Sequence, residues 1–148
     1  MENGPIHVLL PDDDEDDRLF FSDAFEELKI NTVVKTVNDG VELMKYLLHK
    51  PNMIPHILFL DLNMPFKTGL ECLAEIKSQA HLKDMAIAIY STSASEKEIE
   101  ETFVQGANVY IKKPGDFGTL KKVLGEVIAI NWQYHTSGLN RDTFLLSI

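Results

Sequence analysis

The feature that most constrains the fold of this chain is a regular alternation of short apolar runs with longer stretches of helical periodicity. Residues 6–10 form an apolar run with the length of a buried strand. In the stretch 16–29 that follows, apolar side chains recur at i, i+3, i+4 and i+7 from Phe21, which predicts one apolar helix face. The chain therefore opens with a strand followed by an amphipathic helix.

The same strand–helix unit recurs four more times. Predicted strands occupy residues 32–37, 56–60, 85–90 and 108–111, and helices begin near residues 39, 68, 95 and 116. An N-capping residue followed three positions later by a glutamate marks three of these helices: Asp39 with Glu42, Thr68 with Glu71, and Ser95 with Glu98. Strands that alternate with helices predict an α/β, doubly wound fold, with a central five-stranded parallel sheet covered by helices on both faces.

Length, charge and cysteine content narrow the class of protein. The 148 residues suffice for about one domain, which we assign to residues 1–132, and the tail 133–148 is too short for an effector domain. The net charge of -9 disfavours a nucleic-acid partner, and with no effector domain it also disfavours a transcription factor. Apolar runs of about five residues cannot span a membrane. From the polar start we expect no signal peptide, and the lone Cys72 predicts a reducing cytoplasm.

Polar side chains follow the predicted strands at the edge where doubly wound folds bind ligands. Strand one runs into an acidic stretch at residues 12–17, and strand three runs directly into Asp61. Ser91 follows strand four, and Lys113 follows strand five. Each signal alone has an ordinary explanation, such as a solvated loop, a turn residue, a capping hydroxyl or a surface charge. Their conjunction on one edge of one sheet is far more specific.

The chemistry of these residues points to phosphoryl transfer. The acidic stretch suits a hard cation, because Mg²⁺ prefers a few carboxylates plus water. A calcium EF-hand loop is excluded, since Asp17 and Asp23 stand where that loop needs glycine and glutamate. A carboxylate on the central strand can act as a nucleophile and form an aspartyl phosphate. A cation, an ammonium group and a hydroxyl nearby would supply the positioning and charge neutralisation that this reaction needs.

With these residues in place, the sequence resembles the response-regulator receiver family over roughly residues 6–130. The resemblance implies the flavodoxin-like (βα)5 receiver fold and phosphorylation of Asp61 by a sensor histidine kinase or a histidine phosphotransfer protein. The matching elements, in order, are Asp12-Asp13 after strand one, Asp61 with Met64-Pro65 and Gly69 after strand three, Ser91 after strand four, and Lys113-Pro114 after Tyr110 on strand five.

The resemblance also implies a role for each residue of the acidic edge. Asp13, Asp61 and the backbone carbonyl of Asn63 would bind Mg²⁺, with Asp12 assisting through water. Lys113 would pair with Asp61 first and with the phosphate afterwards. The lysine is expected at position 113 rather than 112 because the family lysine precedes a proline.

Two further positions match the family's conformational switch. Ser91, as the first residue after strand four, corresponds to its switch hydroxyl, and Tyr110 corresponds to its mobile aromatic residue. These matches imply a signalling protein rather than an enzyme, which at most catalyses its own phosphorylation and dephosphorylation. The lack of a predicted output domain resembles small stand-alone regulators of the chemotaxis type and those that pair with phytochrome-type kinases.

Other functions have weaker support in the sequence. A haloacid-dehalogenase-like phosphatase needs a second aspartate two residues after its nucleophile, and that position is Asn63. A histidine phosphotransfer protein would be all-helical. A module that keeps the receiver fold and binds partners without phosphorylation stays open as the alternative, although every acceptor residue is present.

The C-terminal tail is the least defined segment. Residues 144–148 carry an apolar cluster, and exposed apolar clusters commonly mark contact surfaces. Two outcomes are open. The cluster, with Trp132, docks on a second copy of the chain or on the kinase, which makes a homodimer one expected assembly, or it folds back onto its own domain.

Overall fold

A computed structural model of the chain describes residues 4–129 and the backbone of residues 145–146. Strands and helices alternate along it in the predicted order. The strands are β1 Ile6–Pro11, β2 Thr32–Val37, β3 Ile57–Leu60, β4 Ala86–Ser91, β5 Val109–Lys112 and β6 Leu145–Leu146. The helices are α1 Glu15–Leu28, α2 Gly40–Leu48, α3 Gly69–Lys77, α4 Glu96–Val104 and α5 Phe117–Ala129, with a short 3₁₀ turn at Ala80–Leu82.

The strands form one parallel sheet in the order β2-β1-β3-β4-β5-β6. The chain winds outward from β1 in one direction to β2 and in the other through β3, β4 and β5. The predicted doubly wound (βα)5 fold is confirmed, and its strand order reverses between β1 and β3. The two-residue β6 was not predicted; it pairs with β5, with Leu145 opposite Tyr110 and Leu146 opposite Ile111.

Hydrophobic cores on the two faces of the sheet hold the layers together. All four residues of β3 are buried, with Leu58 and Leu60 facing the side covered by α2 and α3, and Phe59 facing the side covered by α1 and α5. Because both faces are covered, the strand reads as a continuous apolar run. Each such large side chain contributes roughly 1.5–3 kcal/mol on burial. On the second face, the rings of Phe21, Phe25, Phe59 and Tyr90 pack edge to face with centroids 5.1–6.1 Å apart.

The predicted capping residues of α2, α3 and α4 each accept the N–H of the residue three positions on, but only α3 has the complete capping box. Thr68 and Glu71 form a complete capping box on α3. Asp39 accepts the Glu42 N–H at the start of α2, but the Glu42 carboxylate accepts from the N–H of Asn38 rather than from that of Asp39. The expected reciprocal bond is therefore displaced by one residue, and Asn38 is satisfied in its place.

Strand β4 ends one residue later than its sequence indicates. Ser91 is the last residue of the strand, in register with Lys112 of β5, and Thr92 is the first residue beyond it. The prediction that Ser91 is the first residue after the strand is therefore wrong. Its hydroxyl still lies at the carboxyl edge of the sheet, because the last residue of a strand reaches that edge.

Candidate functional site

Three charged side chains from separate strands meet at the carboxyl edge of the sheet, beside the point where the strand order reverses. Asp12 follows β1, Asp61 follows β3 and Lys113 follows β5. The Lys113 Nζ donates to Asp61 Oδ2 at 3.0 Å and to Asp12 Oδ2 at 3.2 Å. Asp12 and Asp61 are both buried, with 1% and 6% of their surface exposed. The edge therefore holds two buried carboxylates that share one ammonium group.

The loop after β3 fixes the position of Asp61. The Asn63 N–H donates to Asp61 Oδ1 at 2.9 Å, and the Gly69 N–H closes the loop by donating to the Leu62 carbonyl at 3.1 Å. A Cβ atom added at Gly69 would lie 2.3 Å from the Asp61 carbonyl oxygen, so only glycine allows this close approach. Phe66 lies in the same loop with φ +68° and 85% exposure.

The acidic stretch 12–17 contains a residue that contacts Lys113, namely Asp12, and a residue that caps helix α1, namely Asp14. Asp14 caps α1, because its carboxylate accepts the N–H groups of Asp16 and Asp17. Asp12 Oδ1 accepts the N–H of Asp14 at 3.0 Å, which directs its other oxygen towards Lys113. Asp13, which lies between Asp12 and Asp14 in the chain, is exposed. This geometry explains how one acidic run supplies both a helix cap and a buried charge.

Burial and ion pairing have opposite effects on the pKa values of Asp61 and Lys113. Burial raises the pKa of Asp61, and the Asn63 N–H and Lys113 lower that pKa by less. For Lys113, burial lowers the pKa, but the charges and hydrogen bonds of Asp61 and Asp12 outweigh burial and raise it above its ordinary value. Lys113 also lies 5.1 Å from the ring centroid of Tyr90. The ammonium is therefore firmly protonated, while the buried carboxylate gains from a second cation.

The donor atoms of this edge fit a hard divalent cation. Across residues 4–129 and 145–146, no three or more His, Cys, Asp or Glu side chains stand together as a ready cation site. Mg²⁺ needs no such cluster, since it commonly binds through one or two carboxylates and keeps several waters. Asp12 and Asp61 form a buried carboxylate pair, the exposed Asp13 is the next residue after Asp12, and Asn63 lies two residues after Asp61. Burial disfavours the ionised form of Asp61 and raises its pKa, so a nearby positive charge would stabilise the ionised carboxylate.

Ser91 and Tyr110 lie together on the neighbouring strands β4 and β5. Both are fully buried, and the Tyr110 hydroxyl donates to the Ser93 carbonyl at 2.6 Å. The Ser91 hydroxyl accepts the Ser93 N–H at 3.2 Å. Burial raises the pKa of Tyr110, and so does the charge of Glu98, whereas a hydrogen bond with Ser91 lowers it. The two side chains therefore share Ser93 as a common partner, and Thr92 is exposed.

Several residues at the site were not singled out from the sequence. Asp17 on α1 brings Oδ2 to 3.7 Å from the Lys113 Nζ, and burial is the main cause that raises the pKa of this aspartate. Arg18 donates from Nη1 to the Asp12 carbonyl at 2.7 Å. Ser93 and Glu98 join the Ser91–Tyr110 pair. The only signal for Asp17 and Arg18 was their place on the helix directly after Asp12.

The fold and this site define the class of the protein. A doubly wound (βα)5 domain carries a buried aspartate after its central strand, an acidic residue after β1 and a lysine after β5, all in contact. The family model for the response regulator receiver domain matches residues 8–125. The chain belongs to this family, whose members act in two-component signalling. In the part of the chain that the structure describes, no helix is long and apolar enough to cross a membrane.

Individual relatives agree with this assignment. The chain is 29% identical over 126 residues to the probable methanogenesis regulatory protein FilR2 of Methanothrix harundinacea, which covers 83% of this chain and 81% of that protein. It is 28% identical over 126 residues to the response regulator Rcp1 of Synechocystis sp., covering 82% and 86%. Among solved structures, the phosphorylated cyanobacterial phytochrome response regulator RcpA superposes with a TM-score of 0.77 at 31% identity, covering 84% and 91%. The relatives are signalling proteins rather than enzymes.

Proposed function

We propose that this protein accepts a phosphoryl group on Asp61 and signals by a change in conformation. The donor is a sensor histidine kinase or a histidine phosphotransfer protein, with which receiver domains in general interact. The observation that carries the proposal is the shared contact of Asp61 and Asp12 with Lys113. A surface ion pair would not need two buried carboxylates on one ammonium, whereas phosphoryl transfer needs a positioned acceptor and a nearby cation.

The geometry suggests how the transfer proceeds. An Asp61 carboxylate oxygen attacks the phosphorus, the bond from phosphorus to the donor's nitrogen or oxygen breaks, and the bonding electrons leave with the donor. The Asn63 N–H holds Oδ1, so the carboxylate is already oriented for attack. Lys113, held at 3.0 Å from Oδ2, offsets the negative charge that arrives with the phosphoryl group. Asp12, Asp13, Asp61 and the Asn63 carbonyl would hold Mg²⁺, which supplies further charge neutralisation when bound.

The direct test is to incubate the purified protein with Mg²⁺ and acetyl phosphate and to weigh the intact protein by mass spectrometry. We expect one labile phosphate adduct per chain. Because an acyl phosphate hydrolyses in alkali, the adduct should disappear on brief treatment at high pH. A protein that never gains the adduct would favour the alternative, a receiver-fold module that binds partners without phosphorylation.

Removal of Mg²⁺ should abolish or strongly slow the transfer. The Asp12 and Asp61 carboxylates repel each other, and Lys113 supplies only one positive charge between them. We expect weak metal binding, an adduct that forms with Mg²⁺, and little adduct in chelator. Metal should also raise the thermal midpoint of the wild type, since it binds the folded state. An adduct that forms at the same rate in chelator would refute a role for the metal.

Phosphorylation is proposed to reach the surface through Ser91 and Tyr110. The phosphate adds about two negative charges and strong acceptor oxygens beside Asp61. Ser91 ends β4, the strand that pairs with β3, and its partner Tyr110 lies on β5 between α4 and α5. A shift of the Ser91 hydroxyl towards the phosphate would alter the hydrogen bonds that both residues make with Ser93. The outcome is a changed face made of α4, β5 and α5.

A second copy of the chain is a further proposed partner, through the apolar tail. The structure pairs Leu145–Leu146 with β5 of the same chain, which supports the fold-back alternative; the other residues of the tail lie outside the described residues. Truncation after Gln133 separates the two. A lower dimer fraction in sedimentation, or slower transfer from a kinase, would support docking between chains. Unchanged sedimentation together with a lower melting temperature would assign the tail to its own domain.

A further inference from the structure

The loop between β4 and α4 is held at one residue, Ser93, by three separate hydrogen bonds. Its N–H donates to the Ser91 hydroxyl at 3.2 Å, and its carbonyl accepts the Tyr110 hydroxyl at 2.6 Å. Its own hydroxyl donates to Glu98 Oε1 at 2.5 Å. Ser93 therefore connects both switch candidates to the first turn of α4.

Glu98, the third residue of α4, makes a side-chain hydrogen bond outside the helix in addition to its part in the cap. In the complete capping box of α3, the Glu71 carboxylate accepts the backbone N–H of the capping Thr68. In α4, the Ser95 hydroxyl accepts the Glu98 N–H, as a cap should. The Glu98 carboxylate accepts the Ser95 hydroxyl at 3.1 Å, as Glu71 accepts that of Thr68 at 3.3 Å, but it accepts the Ser93 hydroxyl at 2.5 Å where Glu71 accepts a backbone N–H. Its charge is directed at the loop that carries the Ser91–Tyr110 contacts.

We propose that Glu98 is a positioning residue for the phosphorylation switch, which couples the Ser91–Ser93–Tyr110 contacts to helix α4. This inference rests on the proposed phosphorylation of Asp61. When Ser91 turns towards the phosphate, Ser93 follows through its N–H, and the Glu98 carboxylate transmits the movement to α4. A hydrogen bond to an ionised carboxylate is stronger than a neutral one, so the connection is firm enough to carry this displacement.

The competing explanation is that Glu98 only stabilises the start of α4. Single substitutions separate the two roles. Ser93→Ala removes the connecting hydroxyl but leaves the Ser95 cap intact, and Glu98→Ala removes the connecting carboxylate. Ser95→Ala weakens the cap and keeps the Ser93–Glu98 bond, so it serves as the matched control. Ser93→Thr keeps a hydroxyl at the same position and should restore the coupling.

The readout is the amide spectrum of isotope-labelled protein before and after treatment with acetyl phosphate and Mg²⁺. In wild type, Ser91 and residues 96–104 of α4 should both shift on phosphorylation. In Ser93→Ala and Glu98→Ala, the shift at Ser91 should persist, while the shifts in α4 should fall to less than half. Ser95→Ala and Ser93→Thr should respond as wild type does. A loss of helix stability alone would not divide the two responses in this way.

Two outcomes would overturn the proposal. The first is that α4 shifts in Ser93→Ala and Glu98→Ala as far as it does in wild type. The second outcome concerns the unphosphorylated protein. If wild type gains no phosphate, the proposed phosphorylation is wrong, and the role of Glu98 is tested on the unphosphorylated variants. Ser93→Ala and Glu98→Ala should then both move the ring resonances of Tyr110, and Ser95→Ala should not. Tyr110 resonances that stay in place in both variants would show that Glu98 does not position the switch.

Discussion

Replacing Asp61 with asparagine should abolish phosphorylation and leave the folded domain at least as stable as wild type at neutral pH. The amide has the shape of the carboxylate and can still accept the Asn63 N–H, but it cannot form an acyl phosphate. Lys113 keeps Asp12 at 3.2 Å and Asp17 at 3.7 Å as partners. The buried position therefore loses its nucleophile and the hydrogen bond from Lys113, but it keeps the bond from the Asn63 N–H, and Lys113 keeps its bond to Asp12.

The pKa of Asp61 gives the expected sign of the stability change. Burial raises this pKa above its ordinary value of 3.8, so the folded state holds the proton more tightly than the unfolded state does. The ionised carboxylate consequently costs stability, and this cost grows as the pH rises from 3.8 through the raised pKa. Asp61→Asn removes this charge, so its urea midpoint near neutral pH should equal or exceed that of wild type.

The measurement combines intact mass with urea unfolding. Asp61→Asn should show no adduct after acetyl phosphate and Mg²⁺. Asp23→Asn is the matched control, since Asp23 is an exposed aspartate on α1, and it should gain the adduct as wild type does. An alkali-labile adduct on Asp61→Asn would show that another side chain accepts the phosphoryl group.

Most of the fold follows from patterns that are local in the sequence. The run 57–60 is apolar throughout because both faces of β3 are covered, and that pattern indicates a central parallel strand. The boundary of β4 was wrong by one residue because Ser91 is polar, and a polar residue looks like the end of an apolar run. In the structure it is fully buried, since Ser93 and Tyr110 satisfy its hydroxyl. Hydrogen bonding, rather than hydrophobicity, extends the strand.

The candidate site, like the fold, could be predicted from the sequence only in part. Asp61, Asp12 and Lys113 come together because parallel strands end at one edge, so the topology alone predicts their neighbourhood. The approach of Asp17 to Lys113 depends on how α1 leans over the sheet, which no spacing in the sequence encodes. The diversion of Glu98 to Ser93 depends on the path of a four-residue loop. The two-residue β6 is too short to show the alternation of apolar residues that marks a strand. Its pairing with β5 therefore could not be predicted from the sequence.

Replacing Lys113 with alanine should be the most damaging single change at the site. It removes the one ammonium that Asp12 and Asp61 share and leaves two buried carboxylates facing each other. Removal of one partner from a buried ion pair costs about 3–5 kcal/mol, and we expect ~3 kcal/mol here because the side chains of Lys113 and Asp61 keep 11% and 8% of their surface exposed. Phosphorylation by acetyl phosphate should slow by about a hundredfold, as for other losses of one group that neutralises developing charge.

The loss of stability in Lys113→Ala should depend on pH. The raised pKa of Lys113 means that its contribution is fully present below its ordinary value of 10.5 and is lost only as the pH rises through the raised value. Removing the lysine raises the pKa of Asp61 further, because Lys113 no longer offsets its burial and the neighbouring charge of Asp12. Lowering the pH through that range protonates one carboxylate and relieves the repulsion. The stability difference from wild type should therefore be large near pH 7 and shrink towards pH 4.

Lys112 provides a control that separates the site from the general loss of a positive charge. It precedes Lys113 at the end of β5, carries the same side chain and is exposed. Lys112→Ala should change the urea midpoint little at either pH, since exposed charges away from a buried partner contribute less than about 1 kcal/mol. It should also be phosphorylated at the wild-type rate. If Lys113→Ala lost equal stability near pH 7 and pH 4, or matched Lys112→Ala in both assays, the paired carboxylates would not be what makes Lys113 necessary. Equal losses at the two pH values would reduce its role to packing of the lysine stem against Tyr90, and a match with Lys112→Ala would leave it no role at the site.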